Sequence, residues 1–121
     1  MSLPLTPETL AAAYDYLKAT PPFNKWNLPE SEDIKFKVGK GRRDYGSYRW
    51  DGKQHTVTIS SNMVGHTATL LRYLAHEMIH IQLEETDMES RTGGQDTHNA
   101  AFRVLAAQAC KVHGFDPKAF Y

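Results

Sequence analysis

Five consecutive residues, His76-Glu77-Met78-Ile79-His80, carry the most chemistry in this chain. On an α-helix, histidines four residues apart lie one turn above each other and can share one metal ion. Glu77 sits about 100° around the helix from His76, so it can reach a water held by that ion without ligating the ion itself. Zinc in such a place lowers the water's pKa and polarises a peptide carbonyl. The glutamate then takes the proton and passes it to the leaving amine. With six histidines in 121 residues, random placement gives this pattern in about 2% of chains. The bland alternative is a buried helix with two satisfied histidines, which leaves a charged Glu77 between them at the edge of a very apolar helix.

Two histidines leave zinc short, because catalytic sites commonly use three protein ligands. Leu83 and Thr86 stand where a longer zinc motif would continue with glycine and a third histidine. Glu84 follows His80 by four residues, but three ligands along one straight helix do not readily converge on a tetrahedral ion. His98 is the better candidate: it starts the next helix on its apolar face, after a loop long enough to reverse the chain. His66, just before the motif helix, is placed to approach the metal or the substrate. Tyr73, one turn before His76, and Arg103 are candidates to stabilise an oxyanion. His55 reads as a strand residue, His113 as favouring a helix carboxyl end, and Cys110 as a small core residue.

The flanking pattern supplies elements to position these groups. Thr6 can cap a first helix with Pro7 at its first position and Leu5 stapled against Leu10, and Leu10, Tyr14 and Leu17 recur at helical spacing. Pro21-Pro22 stops it, and Phe23, Trp26 and Leu28 follow as core anchors. Ile34, Phe36 and Val38 alternate with Lys35 and Lys37 as in a half-buried strand. The runs Tyr45–Trp50 and Lys53–Ser60 flank Asp51-Gly52, which suits a two-residue hairpin turn. Three antiparallel strands are expected.

From Thr67 to about Glu85, Leu70, Leu71, Leu74, Met78 and Ile81 share one broad apolar face that Ile79 and Leu83 widen, as in a central buried helix. Residues 84–97, with Gly93-Gly94, read as a loop. Asp96 or Thr97 can cap a last helix carrying His98, Phe102, Leu105 and Ala109, ended by His113-Gly114 with Pro117 close behind.

Composition narrows the classes. The 121 residues allow one domain, 40% hydrophobic and 23% charged residues argue against wholesale disorder, and one cysteine excludes an internal disulfide and a four-cysteine zinc ribbon. Net charge is zero, which excludes nucleic-acid binding by bulk charge. No apolar run approaches the ~20 residues that span a bilayer. Met1-Ser2-Leu3-Pro4 lacks the charged start of a signal peptide, so a cytoplasmic location is expected.

The stretch Leu70–Phe102, with Leu-Ala-His-Glu-Met-Ile-His and later Thr-His-Asn-Ala-Ala-Phe, resembles the SprT-like (Spartan-type) metallopeptidase domain. The likeness runs from about Ile34 to Phe115. It implies that His76, His80 and His98 ligate Zn2+, that Glu77 is the catalytic glutamate, and that the reaction is peptide-bond hydrolysis. Asn99 stands where the family usually has glycine, and a helix start should tolerate it. The implied fold is α+β and zincin-like: an N-terminal helix, a small antiparallel three-stranded sheet, the active-site helix and a C-terminal helix. With the sequence ending at Tyr121 and no C-terminal zinc ribbon, a single domain over residues 1–121 is expected, acting on protein or peptide substrates that include DNA-associated ones.

Lys35, Lys37, Lys40, Arg42 and Arg43, with Tyr45, Tyr48, Arg49 and Trp50 just beyond, can contact phosphates and stack on bases, giving weak DNA contact. A solvated strand face explains the same cations, and sheet packing the same aromatics. The competing function is therefore a nucleic-acid-associated binding module in which zinc mainly staples two helices; an intact Glu77 favours the enzyme. The three-histidine arrangement predicts about one zinc per chain. Elemental analysis after zinc saturation checks this, and His98→Ala should lower affinity markedly while His113→Ala should not.

Overall fold

The computed structural model describes residues 5–41, 45–61, 67–89 and 98–120. Arg42, Arg43, His66, the Gly93-Gly94 loop and the expected caps Asp96 and Thr97 lie outside them. Thr6 opens α1 (Pro7–Lys18) with its Oγ1 accepting from the Thr9 N–H at 3.1 Å, and Thr9 Oγ1 accepts in return from the Thr6 N–H at 2.9 Å. This reciprocal cap satisfies donors that the helix start leaves unpaired. Leu10, Tyr14 and Leu17 are fully buried, as their spacing predicts, and the Tyr14 hydroxyl donates to the Pro29 carbonyl. Phe23 and Leu28 join the core, with Trp26 packed against it.

The sheet differs from expectation. Its strands are β1 (Ile34–Gly39), β2 (Gly46–Trp50) and β3 (His55–Ser60), in the order β1-β3-β2. β2 and β3 pair antiparallel, but β1 runs parallel to β3, with Phe36 opposite Val57. The sheet is therefore mixed, not antiparallel. Alternation of apolar residues selects a buried face and is blind to strand direction. Gly39, Gly41 and Tyr45 all accept hydrogen bonds from Ser60 or Ser61, so the chain passes the end of β3 to reach its far side. β3, with His55, Val57 and Ile59 buried, takes the centre.

The hairpin loop is also longer than the expected two-residue turn. Trp50 and His55 form the last pair, leaving residues 51–54 as the loop. The Asp51 carboxylate accepts from the N–H groups of both Lys53 and Gln54 at 2.8 Å, and Gly52 takes a φ of +94°. The aspartate thus closes an Asx-type turn that widens the connection.

α2 (Thr67–Glu85) keeps the expected bounds and buries an unbroken run from Leu74 to Leu83. It touches α1, β2, β3, α3 and α4, which makes it the axis of the molecule. α3 (Ala100–His113) starts two residues after the expected His98, because Asn99 is its cap: Oδ1 accepts from the Phe102 N–H at 2.9 Å. Gly114 ends it with φ +75°, the left-handed conformation that glycine adopts without strain. A short α4 (Pro117–Phe120), which the sequence pattern does not announce, then buries Phe120. Among the described residues no helix is long and apolar enough to cross a membrane.

One position tests the sheet register. A Cβ on Gly46 would collide with the Thr58 backbone carbonyl of the neighbouring strand, and backbone cannot swing aside as a side chain can. Gly46→Ala should destabilise the fold by about 1–3 kcal/mol, measured as a lower urea midpoint with an unchanged slope.

Candidate metal centre

The middle of α2 delivers His76 and His80 on one face, one turn apart, and the residues leading into α3 bring His98 opposite them. One ligand atom from each of the three imidazoles lies within 4.8 Å of the others. His76 and His80 are buried and His98 half-buried. Phe102, from the first turn of α3, packs against all three rings at centroid distances of 4.5–4.9 Å.

Hydrogen bonds set the ring orientations. His76 Nδ1 lies 2.9 Å from the Phe120 carbonyl, an acceptor, so Nδ1 carries the hydrogen. His80 Nδ1 lies 2.8 Å from the Glu89 carboxylate and donates to it. In both rings this turns the lone pair to Nε2, a pattern common behind metal-binding histidines. His98 is held through its backbone: Arg103 Nε donates to its carbonyl, and Asn99 Nδ2 donates to the Met88 carbonyl next to Glu89.

Burial also sets the charges. It pulls the His76 pKa down to about 3, helped by His80 and His98, against the opposing Phe120 carbonyl. Burial and the neighbouring His80 lower His98 too. Neutral imidazoles are the form that binds metal. Glu77 is 2% exposed. Burial raises its pKa to about 7, while His80 and a hydrogen bond from the Tyr45 hydroxyl oppose the rise. That value suits a group that accepts and returns a proton near neutral pH.

A family model for the SprT-like family matches residues 15–119. The chain belongs to the SprT-like family. Comparisons with curated proteins and with solved structures give no match. This family is associated with metallopeptidase-like proteins, and the cluster contributed by α2 and the start of α3 lies within the matched residues.

The SprT-like chain brings together some candidates and disperses others. His76, His80 and His98 converge, and Glu77 lies buried on α2 between the first two in sequence. Tyr73 instead stacks on Tyr45 at 3.5 Å with the Arg72 guanidinium over its ring, and Arg103 serves the His98 backbone from an exposed position. His113 ties the end of α3 to Thr20 and the Pro21 carbonyl. Cys110 is buried in α3, which pushes its thiol pKa up. Lys35, Lys37 and Lys40 are exposed.

Sequence reasoning missed Glu89, the Phe120 carbonyl and Tyr45. Glu89 sits in a stretch read only as polar loop, and a backbone acceptor has no sequence signal. The alternation of β2 does point Tyr48 inward, where its ring lies nearly parallel to that of His80.

The low His76 pKa makes a testable statement about the metal-free protein. The folded value, about 3, lies below the ordinary 6.5, so the unfolded chain binds more protons between them. Stability from this group is complete above the ordinary value and falls as pH drops toward 3. In urea denaturation at a series of pH values, His76→Gln should show a shallower loss over this window than wild type, by at most one proton's worth of slope.

Proposed function

We propose that the protein is a zinc-dependent peptidase that hydrolyses peptide bonds. The observation that supports this best is the cluster of three imidazoles whose ligand atoms lie within 4.8 Å of one another, two of them on the helix that also carries the buried Glu77 carboxyl. The donor set fits zinc: three nitrogen ligands with room for a further partner is a catalytic arrangement, whereas structural zinc sites are closed by four. When bound, the ion polarises the scissile carbonyl and makes attacking water more acidic. His76, His80 and His98 would hold it, their rings oriented by Phe120, Glu89 and the cap of α3. Glu77 takes the proton of the attacking water and returns it to the leaving nitrogen, while the Tyr45 hydroxyl steadies its carboxylate. The substrate strand adds to β2, an edge of the sheet next to His80.

A second, compatible proposal is nucleic-acid contact. On the sheet surface, Lys35 and Arg49 flank Thr56, and Lys37 and Ser47 flank Thr58; both lysines and Arg49 are exposed. This surface supports weak, salt-sensitive binding of a phosphate backbone, with Lys40, Arg42 and Arg43 following β1 in sequence. Replacing Lys35, Lys37 and Lys40 together should weaken binding to single-stranded DNA and flatten its salt dependence, and a tight, salt-insensitive complex would contradict it.

Glu77→Gln separates enzyme from scaffold. It keeps size and hydrogen bonding but removes basicity, so zinc uptake should persist while cleavage of unstructured protein falls about 10²–10⁴-fold. The assay compares wild type and variant on casein, with and without single-stranded DNA. Equal cleavage rates would refute the assigned role of Glu77, and one zinc per chain without any cleavage would favour the scaffold.

A further inference from the structure

A third buried histidine lies outside the cluster. His55, in the central strand, is 3% exposed. Its Nε2 is 2.8 Å from Glu85 Oε1 at the end of α2, and its Nδ1 is 2.6 Å from the Tyr48 hydroxyl on β2. A carboxylate only accepts, so Nε2 carries the hydrogen, and Nδ1 and the Tyr48 hydroxyl share the second hydrogen bond. The Trp50 ring lies against His55 at 4.6 Å.

The other end of this chain of contacts reaches the cluster. The Tyr48 ring lies at 6° to the imidazole of His80, with centroids 5.7 Å apart. His80 is thus bounded by Glu89 at Nδ1, by Phe102, and by Tyr48 alongside its face. Tyr48 belongs to an edge strand and packs half-buried against the core. Its hydrogen bond to a buried histidine, itself held by Glu85 on α2, adds a fixed point at the far end of the ring.

We propose that Glu85, His55 and Tyr48 form a positioning chain that fixes the ring plane of His80 and so sets the metal affinity of the three-histidine cluster. It rests on the reading of that cluster as a metal centre. The three act through His80 rather than on the ion, as groups behind a ligand commonly do.

Two measurements test it, one without metal. In imidazole nitrogen NMR of the metal-free protein, wild-type His80 should show the single tautomer protonated at Nδ1. Tyr48→Phe keeps the ring but cuts the tether, and should shift and broaden the His80 ring signals as the ring plane loses its single setting, while Glu89 still holds the Nδ1 proton. In the second arm, cobalt(II) is titrated as the probe and followed by visible absorption. Tyr48→Phe and His55→Gln should each weaken cobalt binding about tenfold and alter the absorption envelope. Glu85→Gln should stay near wild type, because its amide oxygen still accepts from Nε2, whereas Glu85→Ala should behave like His55→Gln.

Unchanged His80 signals together with cobalt affinity within about twofold of wild type in Tyr48→Phe would overturn the proposal. So would an equal loss in His113→Gln, a distant control, since that would mark general destabilisation. If wild type takes up no cobalt, the metal-centre reading fails instead, and the NMR arm alone decides whether the chain orients His80.

Discussion

A single helix has to serve as the middle of the core and as the source of the chemistry, and most of the architecture answers that conflict. His76, Glu77 and His80 are 4%, 2% and 7% exposed, on a helix that also buries Leu74, Met78, Ile79 and Ile81. Polar groups removed from water cost free energy unless they are hydrogen-bonded. Each of the three finds its partner on a different piece of chain: Phe120 in α4 for His76, Glu89 beyond α2 for His80, and Tyr45 before β2 for Glu77. The elements around α2 thus do more than cover it. They complete its hydrogen bonding while leaving one ring nitrogen of each histidine close to the others.

His98 solves a different problem. It lies before α3, so helical hydrogen bonding does not fix its backbone. The Asn99 cap, its link to Met88 and the Arg103 bond to the His98 carbonyl supply that fixation. Asn99 has ordinary φ and ψ of −71° and −176°, so the position has no need of glycine. Asparagine here supplies both a cap and a tie to the segment that carries Glu89.

Local signals were the readable ones. Thr6-Pro7, the apolar spacing of α2 and His113-Gly114 each state a boundary in a few adjacent residues, and the structure places those boundaries where the sequence suggests. The spacing of His76 and His80 is likewise local, and the unfilled ligand set directed attention to His98. What escaped depends on distance in space. The parallel pairing of β1 and β3 follows from the chain passing the end of β3, which alternation does not encode. Asp51 looked like a turn residue, yet its side chain, bonding two backbone donors, lengthens the loop. Glu89, the carbonyl of Phe120 and the α4 helix were silent because nothing in their neighbourhood distinguishes them until the fold brings them to α2.

The bond between His76 Nδ1 and the Phe120 carbonyl joins residues 44 positions apart. A ribosome therefore releases the motif helix well before it releases the group that orients the first imidazole. While that stretch is still being made, His76 has no fixed tautomer, and the cluster is a set of histidines without a defined aim. The order of synthesis thus makes the docking of Phe120 a late step in assembling the centre, after the sheet and both long helices have emerged.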